Sequence, residues 1–232
     1  METENDTAQK SESIFLVVIL ALIGGFLDAY TYCSRDRVFA NAQTGNIVRL
    51  GITLANGEYI KTLRYFVPII AFSIGVFVAL STRDNKCLKL HWRQVILIFE
   101  GVIVLIVGFI PMNDFFNIIS NVFVSFLCAM QAESFRKVLG NPFSSTMCTG
   151  NLRSTIEYLY QAMVCKNNKA LKKVKYYMLI IVSFVFGAFS GVHLSNIMLE
   201  KAILILLIPL ALSFIIMTNK KILTKEEGEL NE

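Results

Sequence analysis

Four ionisable side chains fall inside long apolar stretches of this chain: Asp28, Glu100, Glu133 and His193. A charged side chain at mid-span costs about 2.5–3.5 kcal/mol on insertion scales, so each marks a candidate ion or proton site. By position along their stretches, Asp28 could meet His193 and Glu100 could meet Glu133. An Asp28–His193 pair would relay protons, because histidine titrates near neutral pH. Structural roles compete with these. Asp28 could pair with Arg35 or Arg37, Glu133 stands beside Arg136 and Lys137 at the end of its stretch, and His193 could be a hydrogen-bonded packing residue. Glu100 has no basic residue near it within its own stretch, which makes it the hardest to explain structurally.

A second constellation is a repeat. Thr44-Gly45-Asn46-Ile47 returns 105 residues later as Thr149-Gly150-Asn151-Leu152, and Asp28 has a counterpart at the same offset in Glu133. Each copy opens an amphipathic stretch with apolar residues at helical spacing, Ile47, Leu50 and Leu54 in the first and Leu152, Ile156 and Leu159 in the second, with Arg49 and Arg153 on the polar faces. Thr and Asn are good N-caps, and Gly allows a sharp turn into a helix. Two geometries fit. Each stretch is either a half-helix dipping back into the protein or an amphipathic helix lying at the membrane interface.

The elements that must carry these residues are membrane spans. Of the 232 residues 55% are hydrophobic and only 17% charged, and the mean hydropathy is +0.58, far from the roughly 25% charged of a soluble domain. Nucleic-acid binding, disorder and a secreted disulfide scaffold are excluded as main themes. The five cysteines form no C-x-x-C pair or metal-ligand spacing, and no cofactor or metal is expected. Six runs approach the roughly 20 apolar residues a bilayer requires: 14–33, 65–82, 94–112, 115–132, 176–199 and 202–218. The first is expected to be retained as a span, since its leader is acidic where a signal peptide is basic. Lys and Arg cluster between Arg83 and Arg93, between Arg136 and Lys175 and after Lys220, so both termini are expected in the cytoplasm.

The expected fold class is therefore an all-α polytopic membrane protein of about six transmembrane helices. Residues 14–112 and 113–219 would be two three-helix repeats of inverted topology, flanked by cytoplasmic tails at 1–13 and 220–232. Small residues offer close helix contacts at Gly101 with Gly108, Gly187 with Gly191 and Ser73 with Gly75. There is no H-E-x-x-H, no G-x-S-x-G and no phosphate loop, and an enzyme is not expected.

Gly24-Gly25-Phe26-Leu27-Asp28-Ala29, Phe39, Thr44-Gly45-Asn46, Met130-Gln131, Phe135-Arg136-Lys137 and Thr146 to Ser154 together resemble the YoaK-like family of bacterial integral membrane proteins, along essentially the whole chain. The resemblance implies a bacterial inner-membrane location and about six spans, and names no substrate. The reading that best joins these features is a small-solute transporter or channel, which could be proton-coupled. The alternative is an accessory or scaffold membrane protein. The partners expected are the lipid bilayer, an unidentified small solute and, as an option, a second copy of the chain. The residues assigned to the solute or ion path are Asp28, Thr44, Gly45, Asn46, Arg49, Glu100, Glu133, Thr149, Gly150, Asn151, Arg153 and His193.

Overall fold

The computed structural model describes residues 14–85, 90–138, 141–142 and 148–218; the two terminal tails and the Thr146-Met147 part of the second motif lie outside the described residues. The described residues form α1 (Ile14–Ser34), α2 (Gln43–Ala55), α3 (Tyr59–Asp84), α4 (Trp92–Gly108), α5 (Asp114–Ser134), α6 (Cys148–Met163), α7 (Asn168–Met198), a 3-10 segment (Leu199–Leu206) and α8 (Leu207–Thr218). One two-residue antiparallel pair, Lys137–Val138 with Asn141–Pro142, joins α5 to α6. Four helical segments are long and apolar enough to cross a membrane: α1, α3, α5 and the continuous helical stretch 168–218 formed by α7, the 3-10 segment and α8. This is a membrane protein.

Three of the six expected spans appear in altered form. The run 94–112 shortens to the 17-residue α4, because Phe109 to Asn113 leave the helix around Pro111. The runs 176–199 and 202–218 form one helical stretch interrupted at Leu199, whose φ of 53° is left-handed.

α1 is apolar all round and buried over most of its surface, as a helix at the centre of a bundle must be. Helices further out expose apolar stripes at helical spacing, Phe66, Ile70, Ile74 and Phe77 on α3 and Val182, Val185, Phe186 and Phe189 on α7. In a bilayer those stripes meet lipid.

Glycines set the closest crossings. A Cβ at Gly25 would fall on the Phe184 carbonyl, one at Gly187 on the Leu22 carbonyl, and one at Gly191 on that of Phe26. Residue numbers rise together along this contact, so α1 and α7 run in the same direction. α3 and α5 do likewise: Arg64 pairs with Asp114 at 3.0 Å, and a Cβ at Gly75 would meet the Phe126 carbonyl. Gly101 has nothing within 4 Å of an added Cβ, so it makes no such contact, contrary to expectation. α4 runs against α5, with the Arg93 Nε donating to the Ser134 carbonyl at 2.7 Å, and against α8, with the Gln94 Nε2 donating to the Thr218 hydroxyl at 3.4 Å.

Arg35 locks one end of the bundle. The guanidinium is fully buried and donates to the Ile110 carbonyl at 2.8 Å, the Pro111 carbonyl at 2.9 Å, the Asn117 Oδ1 at 3.1 Å and the Tyr30 hydroxyl at 2.9 Å. It thereby satisfies carbonyls left open where α4 ends, and its positive charge sits at the negative end of that helix. Asp36 and Arg37 next to it hold left-handed backbone, with φ of 65° and 58°.

Candidate functional site

The segment after α1 turns back alongside that helix. The Asn41 Nδ2 donates to the Gly24 carbonyl at 3.0 Å, and Gly24 is the middle residue of α1. Asp28 fixes the return, since it accepts the Asn41 N–H at 2.7 Å and those of Ala40 and Ala42 converge on it. A carboxylate from another helix thus does the work of a side-chain cap at the start of α2, whose own N-cap is Ala42 without a side-chain bond. Asn46 is not the cap either. It is fully buried and grips the backbone of Phe39, accepting from its N–H at 3.1 Å and donating to its carbonyl at 2.6 Å. Gly45 is small because the Phe39 ring lies against it, 3.0 Å from where a Cβ would stand.

α6 begins at the same place. Asp28, Tyr32, Cys33, Phe39 and Thr44 from the first half of the chain line one cavity of about 720 Å³ together with Cys148, Thr149 and Gly150 from the second. Phe72 of α3 and Phe184, Ala188 and Val192 of α7 complete its walls. The two Thr-Gly-Asn segments, far apart in sequence, therefore open onto one space. Gly150 has nothing within 4 Å of an added Cβ, unlike Gly45, so the second motif presents the more open backbone. Burial, and after it the Asp28 carboxylate, push the Cys148 thiol up to about 11. Phe39 stacks on Tyr32 with ring centroids 4.7 Å apart, which gives the cavity an aromatic wall.

The model that matches residues 16–216 describes a protein of unknown function, DUF1275. The chain belongs to this family. The membership agrees with the resemblance seen in the sequence motifs. No curated protein and no solved structure matches the chain.

Arg49 lies beside the cavity, in an adjoining pocket of about 510 Å³ that shares Thr44 with it, and its guanidinium reaches the hydroxyls of Tyr32 at 3.3 Å and Tyr65 at 3.4 Å. Asn151 is buried behind the cavity-lining Gly150, whereas Arg153 is exposed and pairs with Glu157 at 2.8 Å. Glu133 pairs with Arg136 at 3.3 Å at the end of α5 and does not approach Glu100 through a bond. His193 is exposed and stacks on Phe189, 6.4 Å between centroids. The Asp28–His193 relay does not form, because Asp28 spends its lone pairs on the backbone before α2 while His193 faces outward from α7. Glu100 is fully buried, and neither carboxyl oxygen has a partner among the described residues.

Sequence reasoning missed Arg35 as the clamp at the end of α4, and Cys33 and Cys148 as cavity walls. It also passed over the polar face of α5, where Asn117, Asn121, Ser125 and Gln131 are all buried. Their spacing of four, four and six residues in a span was the available signal.

Proposed function

We propose that this protein is a small-solute transporter or channel whose path runs through the cavity between the two Thr-Gly-Asn segments. The observation that carries the reading is that helices α2 and α6 both begin at one cavity, walled by α1 from Asp28 to Cys33, with Asn41 just before α2 reaching in to the carbonyl of mid-helix Gly24. Paired half-helices whose N-termini meet near the membrane midplane are the usual binding architecture of inverted-repeat carriers. An interfacial helix would instead lie at one surface along its whole length.

The helix pairings support the two-repeat reading. Gly187 of the second half sits over the Leu22 carbonyl of the first, and Gly75 of the first half sits over the Phe126 carbonyl of the second. α2 packs on α3 while α6 packs on α7. Exchanging the halves maps one set of contacts onto the other. In this reading α4 is the third span, and the 3-10 segment with α8 is the sixth. Eight 3-10 residues at about 2.0 Å and twelve helical ones at about 1.5 Å extend roughly 34 Å, enough for a hydrocarbon core. In this reading the membrane is a bacterial inner membrane, and the basic loops favour both termini on its cytoplasmic side. The cavity then opens toward the outside, past Cys33, while the glycine contacts at Gly25 and Gly187 close the α1–α7 seam on the inner side.

The native thiols test this. In a variant with Cys148 as its only cysteine, a small membrane-impermeant thiol reagent applied to intact cells should label it from outside, although α6 runs on toward the basic cytoplasmic loop. With the thiol held at about 11, labelling should keep rising with pH, roughly tenfold per unit, as the thiolate grows. Labelling solely from the cytoplasmic side, in inverted vesicles, would make α6 an interfacial helix and favour an accessory role.

A further inference from the structure

Glu100 stands at the centre of α4, and the antiparallel pairing of α4 with α5 through Arg93 and Ser134 places it level with Leu127 and Cys128. Ile96 and Val104, one turn either side of it on α4, and Val124 and Leu127 at its level on α5 are all fully buried and apolar. Both carboxyl oxygens lack a partner among the described residues, so an ionised carboxylate there would be uncompensated unless water reached it. The Cys128 thiol of α5 is near enough to both Glu100 and Asp28 of α1 to interact electrostatically with each. The charged groups of α3, namely Lys61, Arg64, Arg83 and Asp84, stand near that helix's ends; Glu200 and Lys201 open the 3-10 segment, and described α8 carries no titratable side chain.

The same face of α5 carries a column of polar side chains with unmatched atoms. Asn121 Oδ1, Ser125 Oγ and Gln131 Oε1 are buried without partners, one above and one below Cys128 and the third a turn further out. The other ends of the two amides are engaged, the Asn121 Nδ2 donating to the Arg35 carbonyl at 2.7 Å and the Gln131 Nε2 to the Leu20 carbonyl at 2.9 Å. Unmatched oxygens in a row are places where water can be held. A metal ion is the poorer occupant, since no group of three acidic, cysteine or histidine side chains forms among the described residues.

We propose that Glu100 is a mid-membrane proton-exchange site, separated from the solute cavity by Cys128 and reached along the polar face of α5. The carboxyl gives up its proton to water on this face, leaving the carboxylate, and takes one back when the bundle changes state. The proposal rests on the transport reading for what the proton drives, and the experiment reads the proton itself. Full-length protein in lipid vesicles is followed by infrared difference spectroscopy between about pH 5 and pH 9. A protonated-carboxyl band that disappears on raising the pH, persists in Asp28→Asn and is missing from Glu100→Gln is the expected result. Because Glu100→Gln could fail to accumulate, wild-type protein is also treated with a hydrophobic carbodiimide, which adds to a protonated carboxyl as an N-acylurea. Peptide mass should place the adduct on Glu100, with labelling falling about tenfold per pH unit above the site's titration and no labelling by a water-soluble carbodiimide. A carboxyl band unchanged across the range, or Glu100 unlabelled at every pH, overturns the proposal. Proton exchange without outside access to Cys148 would leave this site standing and remove the solute path; the converse would leave a carrier uncoupled from Glu100.

Discussion

Residue type fixes what a buried polar group needs, and position fixes who supplies it. Asp28 and Glu100 are both carboxylates within apolar helices, yet Asp28 gathers backbone N–H groups from the returning segment and Glu100 gathers none. Arg35 shows the same principle with the sign reversed, because its charge is met by carbonyl and hydroxyl oxygens instead of a carboxylate among the described residues. Replacing it by leucine strands the carbonyls of Ile110 and Pro111, each costing about 1–3 kcal/mol when left unmatched. Thermal unfolding in detergent should show Arg35→Leu destabilised by about 3 kcal/mol or more, with Arg35→Lys in between because one ammonium cannot reach so many acceptors. Wild-type stability in Arg35→Leu would mean that water replaces the clamp.

At the scale of elements, glycine is not one signal. Gly25 and Gly187 exist because the carbonyls of Phe184 and Leu22 occupy the space of their missing side chains, which brings the α1 and α7 backbones together. Gly25→Ala and Gly187→Ala should each lose at least about 1–3 kcal/mol through overpacking, since a helix backbone cannot yield as a side chain can. Gly101, with open space around it, should behave in the opposite way: Gly101→Ala should leave stability unchanged or raise it by about 0.5–1 kcal/mol. Melting temperatures of the three variants, measured side by side, check this ordering. Equal losses at all three would show that the close crossing is not what the glycines provide.

At the scale of the whole molecule, direction across the membrane is the property everything else depends on. α1 and α7 run parallel, as do α3 and α5, so each pair must enter from the same side. With the basic loops inside, a cysteine placed at Asn113 should react with an impermeant thiol reagent on intact cells, while native Cys165 should react only after permeabilisation. Outside labelling of Cys165 would invert the last helices and break the parallel α1–α7 pair.

The sequence by itself determined that this is a helical membrane protein, where its apolar runs lie and which residues in them are out of place, because hydrocarbon imposes those constraints run by run through length and polarity. The family match over residues 16–216 rests on the same local motifs. Tertiary structure alone decided partnership. That Thr44 and Thr149 share a cavity, that Asp28 holds Asn41 and not His193, and that Glu133 bonds Arg136 while Glu100 stays unpaired all depend on how helices distant in sequence cross. Helical periodicity says which face a residue occupies on its own helix. It carries no information on which other helix that face will meet, and for α1 and α7 that is settled by glycines whose missing side chains leave room for a carbonyl.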